Sequence, residues 1–385
     1  RHSRLFVVCD LVLEETPPGG RGGQGDDRDN RRHRLALVGI VANPAASKDI
    51  RRLVAQGRVV PDWEKVNIVR RALLGLQSVG VDRVLAMPDS SHLVQRAADD
   101  PHLSVEVELL RMTALFNEGD TVRAAAAMAD EGVNCVITLG GDGTNRAVAK
   151  GSRDMAMVAI STGTNNVFPV MVEGTTAGMA AGLVASGTVP MEDATVRSKT
   201  LAVMVDGEDR DIALVDVALS KERFVATRAI WDMNTIYEVF LTRAEPSSIG
   251  LSSIGARLEA VSLTDGGGLH YRIADLRQEE EEGRPHPNPP PEGEGTKDSE
   301  AEIYVRAPIA PGSVPVVGIE SWQRLADGQR VTVEQRHSTV ALDGERSFSV
   351  NPDNLLEIEV RRDGPPVVSV DAALRHAAAA GVFRV

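Results

Sequence analysis

Three glycines around one carboxylate, Gly140-Gly141-Asp142-Gly143-Thr144, form the densest chemical signal in the chain. They follow an apolar run, Cys135–Leu139, and precede Asn145–Lys150, which reads as the opening of a helix. Glycines let backbone N–H groups approach a phosphate closely, and a helix N-terminus adds positive potential. A carboxylate beside phosphates needs a purpose: it orients a metal ion, takes the proton of an attacking hydroxyl, or does both. Asp142 is therefore the first candidate for catalysis and for metal binding. The string is not a Walker loop, because no Gly-Lys-Ser/Thr follows it. Its glycine spacing also differs from the dinucleotide fingerprint.

Three more polar strings stand at the ends of expected strands. Ser161-Thr162-Gly163-Thr164-Asn165-Asn166 follows the strand after the glycine-rich loop, and Thr164 and Asn165 are candidates for phosphate or ribose. Asn43-Pro44-Ala45-Ala46-Ser47-Lys48-Asp49 follows the first strand. Asn43, Ser47 and Lys48 either meet a nucleotide there or make a turn and a helix cap. Asp343-Gly344-Glu345 ends the strand Ser338–Leu342, and by itself Asp-Gly is an ordinary hairpin turn.

The elements that must position these groups change character along the chain. From Leu35 to Ala42 the run is continuously apolar, as suits a strand buried on both faces. Helical periodicity over Trp63–Val79 is followed by strand patterns at Asp82–Met87 and Ser104–Leu110, with a short helix between them at Ser90–Ala98. Thr121–Asp130 is an Ala-rich helix with Asp120 as its expected cap, Met157–Ile160 a strand and Thr175–Ser186 a helix of small residues. Alternating strands and helices predict a doubly wound parallel sheet over 35–190. Over 191–350 short strands and polar turns predict a mostly antiparallel β domain. Leu201–Val205 and Ile212–Leu219 flank the hairpin signal Asp206-Gly207-Glu208-Asp209. Residues 1–34 read as a disordered leader, and 277–300, with its Glu and Pro runs, as a solvated insertion. Residues 351–385 are expected to supply a helix, Asp371–Ala380, that returns to the first domain.

Composition narrows the class. A formal net charge of −13 argues against non-specific nucleic-acid binding and against an anionic membrane surface. Aromatics make up only 3%, so the cores must rely on aliphatic residues. Two cysteines, Cys9 and Cys135, make no disulfide framework, which fits a reducing, cytoplasmic setting. The apolar patch Leu5–Leu13 is short, carries Asp10 and lacks a cleavage region, and no run reaches the ~18–20 residues of a membrane span. The first residue is not Met, so the natural N-terminus is expected to be missing or altered.

Together the loops resemble one superfamily, the NAD kinase and diacylglycerol kinase-like enzymes. Gly140–Thr144 matches its Gly-Gly-Asp-Gly-Thr signature, Thr162-Gly163-Thr164-Asn165 its Gly-Thr-x-Asn element, and Asp343-Gly344-Glu345 its late Asp-Gly-Glu. Asn43-Pro44-Ala45, Lys48–Leu53 and Ser161–Pro169 look similar to the AcoX-like, ATP–NAD kinase-related proteins associated with acetoin catabolism. The Asn-Glu pair of the NAD kinase branch has only a rough counterpart in Val215-Asp216-Val217, and Ser247–Gly255 occupies the region of its Thr-Pro-x-Gly-Ser-Thr loop.

The resemblance implies an α/β domain followed by a β domain, ATP with Mg2+, and phosphorylation of a hydroxyl on a small molecule, NAD or similar. It implies Asp142 and Glu345 as catalytic, Asp142 and Asp343 as metal ligands, and Gly140, Gly141, Gly143, Thr144, Thr164 and Asn165 as nucleotide contacts. A homo-oligomer without stable membrane insertion is the accompanying expectation. A lipid or sphingoid-base kinase and a non-catalytic nucleotide sensor stay open beside the NAD kinase-like reading.

Overall fold

The computed structural model describes residues 36–46, 57, 59–163, 165–221, 235–274 and 301–384. The expected leader, the insertion at 277–300, and Ser47, Lys48 and Thr164 lie outside them.

The N-terminal unit begins with β1 (Leu37–Ala42), α1 (Asp62–Ser78), β2 (Arg83–Ala86), α2 (Leu93–Ala98) and β3 (Glu106–Leu109). It continues with α3 (Glu118–Asp130), β4 (Cys135–Gly140), α4 (Asp142–Gly151), β5 (Ala156–Ser161), α5 (Gly174–Ala185), α6 (Met191–Ala194) and β6 (Thr195–Arg197). The second unit contains β7 (Thr200–Val205), β8 (Glu208–Ala213), β9 (Asp216–Ser220), β10 (Ile236–Leu241), α7 (Leu251–Leu258), β11 (Gly268–Ile273), β12 (Ile303–Arg306) and β13 (Val316–Leu325). Then come β14 (Arg330–Thr332), β15 (Ser338–Leu342), β16 (Glu345–Val350), β17 (Leu356–Arg361), β18 (Pro366–Val368) and α8 (Val370–Ala379).

The first sheet runs β3-β2-β1-β4-β5-β18-β6 among the described residues, and from β3 to β18 all pairs are parallel. The chain moves outward from β1 to β3 and then returns to place β4 on the other side of β1. That reversal makes β1 and β4 the topological switch point, where the strand ends leave a crevice. Both strands are buried nearly throughout, which accounts for their largely apolar sequences. Over this sheet α1 and α5 cross at backbone contact. A Cβ at Gly75 would lie 2.1 Å from the Thr175 carbonyl oxygen, and one at Gly178 would lie 2.1 Å from that of Ala72. The small residues of α5 are the sequence trace of this crossing.

The second unit is a two-layer antiparallel β structure. One sheet runs β12-β13-β11-β10-β9-β15-β16 and the other β14-β17-β7-β8. Leu201, Val203, Ile358 and Val360 of the smaller sheet pack with Val217, Phe240, Val340 and Leu342 of the larger. The opposite face of the larger sheet holds Leu251 and Ile254 of α7. The two units share an apolar seam in which Ile212, Leu214 and Val215 join Val41, Val136, Met157 and Phe168. After β17 the chain crosses back, β18 pairs with β5 and β6, and α8 lies against α5 and α6.

The structure corrects several local readings. Ile212–Leu219 is not one strand: it breaks at Leu214-Val215, so that β8 stays in the smaller sheet and β9 enters the larger. The cap of α3 is Asn117, and Asp120 instead reaches back to accept from the Leu115 and Asn117 N–H groups. The short helix near Ser90 starts at Leu93 because the Asp89 carboxylate holds the preceding turn, accepting from Ser91 and Leu93 N–H. The glycine-rich loop is almost no loop, since β4 ends at Gly140 and α4 begins at Asp142.

Candidate active site

Gly141 alone separates β4 from α4, and side chains on both sides enforce the sharp junction. Thr144 folds back over Gly140, where a Cβ would lie 2.5 Å from Thr144 Oγ1. Asn145 is fully buried; it receives the Thr138 hydroxyl and donates through Nδ2 to the Gly141 carbonyl at 2.8 Å. A Cβ at Gly141 would approach Asn166 Oδ1 to 3.0 Å, while Asn166 Nδ2 donates to Ser161 Oγ at 2.9 Å. The first two glycines are thus needed by their neighbours' side chains. The third, Gly143, faces the other unit: a Cβ there would stand 3.4 Å from Glu345 Oε1.

Asp142 is the first residue of α4 and is buried. Its carboxylate turns away from its own helix and accepts from Val167 N–H at 3.1 Å and Phe168 N–H at 2.8 Å. Burial pushes its pKa up to about 7, and the nearby Asp343 charge acts in the same direction. The Phe168 and Val167 N–H groups and the Arg243 charge pull the other way. A carboxylate that titrates near neutrality suits proton transfer at physiological pH.

Asp343 and Gly344 form the two-residue turn between β15 and β16, with φ of 51° and 77°. Both lie in the left-handed region that such a hairpin requires. The Asp343 carboxylate accepts from the N–H groups of Leu214, Val215 and Asp216, at 3.1, 2.7 and 3.2 Å. Those are the residues at the break between β8 and β9, so the turn is bolted to the place where the chain changes sheets. Burial pushes Asp343 above the usual carboxylate range, against the Arg146 charge and the three N–H groups. Glu345 differs from both aspartates. It is half-buried against the first turn of α4, and its carboxylate makes no hydrogen bond or ion pair among the described residues.

At the switch point, Asn43 Nδ2 donates to Thr144 Oγ1 at 2.9 Å, and Asn43 N–H donates to the Leu139 carbonyl. The fully buried Lys65 ammonium holds this turn from below, donating to the carbonyls of Asn43, Pro44 and Ala46. Asn165 sits in the β5–α5 connection beside the Asp142 contacts. The structure therefore brings Asn43, Gly140, Gly141, Asp142, Gly143, Thr144, Asp343 and Glu345 together where the β15–β16 hairpin meets the start of α4.

Sequence reasoning passed over Arg146. It is 2% exposed and donates to the Leu342 carbonyl at 2.9 Å and to Glu118 Oε1 at 3.3 Å, tying α4 to the hairpin. Within α4 it reads as one more surface cation, and only the packed hairpin gives it a different meaning. The Val167 and Phe168 N–H donors are equally invisible, because backbone groups carry no residue signature.

The first unit, which carries this strand–helix junction, is similar to the N-terminal domain of ATP-NAD kinases. The family model of the ATP-NAD kinase N-terminal domain matches residues 38–189, and that of the acetoin catabolism protein X C-terminal domain matches residues 199–363. Acetoin catabolism protein X of Cupriavidus necator is 39% identical over 353 residues, covering 89% of this chain and 92% of the relative. The chain belongs to the acetoin catabolism protein X family. Among solved structures, a diacylglycerol kinase from Bacillus anthracis strain Sterne is similar at 12% identity and a TM-score of 0.42, over 87% of this chain and 97% of that one.

Proposed function

We propose that the protein transfers the γ-phosphoryl group of ATP to a hydroxyl of a small acceptor, NAD or a related compound. The observation that carries this reading is Asp142: a buried carboxylate with a pKa of about 7 at the N-terminus of α4, with the free carboxylate of Glu345 across Gly143. The first turn of α4 directs its positive end at the nucleotide phosphates, with Gly143 leaving room for them. Asp142 takes the proton of the acceptor hydroxyl as its oxygen bonds to the γ-phosphorus. The bond from that phosphorus to the bridging oxygen breaks, and ADP leaves with the electron pair. The backbone N–H groups of Val167 and Phe168 hold the Asp142 carboxylate still, so its orientation is set before the reaction.

The donors present fit Mg2+, which prefers oxygen ligands and commonly takes one or two carboxylates together with substrate phosphates and water. Neither Glu345 oxygen has a partner among the described residues, and Asp142 Oδ2 shares a single N–H group. When bound, the ion neutralises phosphate charge. Asp343, the other expected ligand, has its carboxylate engaged by three N–H groups, and we assign it the placing of Glu345.

The relative's name connects that protein with acetoin catabolism. The test is direct. Purified protein is incubated with γ-labelled ATP and Mg2+ together with NAD, acetoin or a lipid extract. Labelled NADP or a labelled small phosphate ester is expected. Label in the lipid fraction alone would move the acceptor to lipids, and no labelled product in any arm would overturn the kinase reading.

A further inference from the structure

Two buried arginines flank the Asp142–Asp343 pair, and they are bound very differently. Arg146 has both terminal nitrogens occupied, one by a carbonyl and the other by the Glu118 carboxylate, although its Nε is buried without an acceptor. Arg243 lies two residues beyond β10 and is 6% exposed. Its guanidinium makes no hydrogen bond or ion pair among the described residues, and its Nε is buried without an acceptor. Its side-chain contact is the face of Phe168, with Cζ 5.2 Å from the ring centroid. Phe168 is also the residue whose N–H holds Asp142. The backbone beneath Arg243 is pinned: Ser252 Oγ donates to its carbonyl at 3.1 Å, and Thr242 N–H donates to the Val215 carbonyl at 2.9 Å.

A buried charge without a partner is unfavourable, so native structures keep one only where something compensates it. The carboxylates of Asp142, Glu245 and Asp343 attract the Arg243 charge, yet burial prevails and holds its pKa below the ordinary value. None of the three forms an ion pair with it. The compensation that fits a planar guanidinium fork is an oxyanion taken in two parallel hydrogen bonds. The adjacent N-terminus of α4 favours the same sign of charge.

We propose that Arg243 binds a phosphate-type oxyanion of the reactants in the cleft beside Asp142. This rests on the phosphoryl-transfer reading of the same site and adds a cation that the glycine-rich signature does not contain. The anion is either a phosphate of the donor nucleotide or an anionic group of the acceptor, and the guanidinium recognises both by the same geometry.

Calorimetric titration of the full chain with inorganic pyrophosphate, without acceptor, tests the proposal. The wild type is expected to bind, Arg243→Met to bind at least tenfold more weakly, and Arg243→Lys to fall between. Without pyrophosphate, Arg243→Met should melt at the same temperature as the wild type or higher, because an uncompensated charge has been removed. Equal affinity in wild type and Arg243→Met, or no binding by the wild type, overturns the proposal. So does an anion-free Arg243→Met that melts several degrees lower, which would reveal an internal structural role. Repeating the titration with a non-hydrolysable ATP analogue present separates the sources. Competition assigns the anion to the donor and undiminished binding assigns it to the acceptor, and both agree with the proposal. Binding is read without turnover, so a chain that transfers no phosphoryl group leaves this result standing.

Discussion

The tripeptide Asp-Gly-Glu occurs in two hairpins of this chain, Asp206-Gly207-Glu208 and Asp343-Gly344-Glu345. Locally the two are nearly the same. Asp206 and Gly207 have φ of 54° and 84°, against 51° and 77° for the second pair, and each turn joins adjacent antiparallel strands. Their surroundings differ. Asp206 is exposed and accepts from Asn354 Nδ2 and Leu355 N–H at the rim of the smaller sheet. Asp343 is buried, gathers three N–H groups from the break between β8 and β9, and sets Glu345 against the first turn of α4. A turn sequence specifies a turn; whether its carboxylates do chemistry depends on what the fold brings opposite them.

Seven substitutions test that contrast. The largest effect is expected from Asp142→Asn, the group that the second hairpin faces. It should lower kcat by about a thousandfold or more, since an amide cannot take the acceptor proton. In the wild type, kcat/KM should rise with pH and level off above about 7, as Asp142 ionises. The same substitution should stabilise the fold above neutrality. The folded pKa of Asp142 lies above its ordinary 3.8, so the wild type loses stability as pH rises from there to about 7. Asp142→Asn removes that penalty, on the order of 2–4 kcal/mol above pH 7 and nothing near pH 3. Thermal melts at the two pH values measure the gap. A mutant less stable than the wild type at pH 8 would contradict the assigned burial effect.

The next largest effect falls on the hairpins themselves. Glu345→Gln should lower kcat by about a hundredfold, through lost charge at the phosphates, while Glu208→Gln stays within about twofold. Steady-state kinetics decide this, and equal losses in the two variants would erase the distinction. Asp343→Ala should lower unfolding free energy by about 2–3 kcal/mol, because buried N–H groups lose their acceptor. Asp206→Ala, at the rim, should lower it by about 1 kcal/mol or less, with denaturant titration as the measure. Asp343→Asn keeps an acceptor oxygen and tolerates the left-handed backbone, so it should retain most turnover. A collapse of turnover with an intact fold would return Asp343 to the metal site. The smallest effect is expected from Asn43→Ala. Losing the bond to Thr144 Oγ1 should lower unfolding free energy by about 1 kcal/mol, again by denaturant titration.

Much of this architecture is written in local pattern. Apolar runs such as Leu37–Ala42 mark strands buried on both faces, and their alternation with helices dictates a parallel sheet with its ligand edge at the strand ends. Gly140–Thr144 announces a phosphate beside a carboxylate because glycine, carboxylate and helix start are neighbours in the chain. These signals survive in a single sequence because their physical causes act over a few residues.

Long-range causes leave no such trace. Ile212–Leu219 is apolar apart from Asp216, and nothing in it reveals the break that the Asp343 carboxylate imposes from the other end of the β unit. Arg146 and Arg243 look like any other cations until the fold buries both and gives only Arg146 partners for its terminal nitrogens among the described residues. The raised pKa of Asp142 comes from desolvation by two units closing on each other and from a second carboxylate 201 residues away along the chain. The two Asp-Gly-Glu turns make the division plain. Backbone sterics, which three residues contain, gave both the same shape. Burial and electrostatic company, which only the assembled units contain, gave the second its place in the cleft.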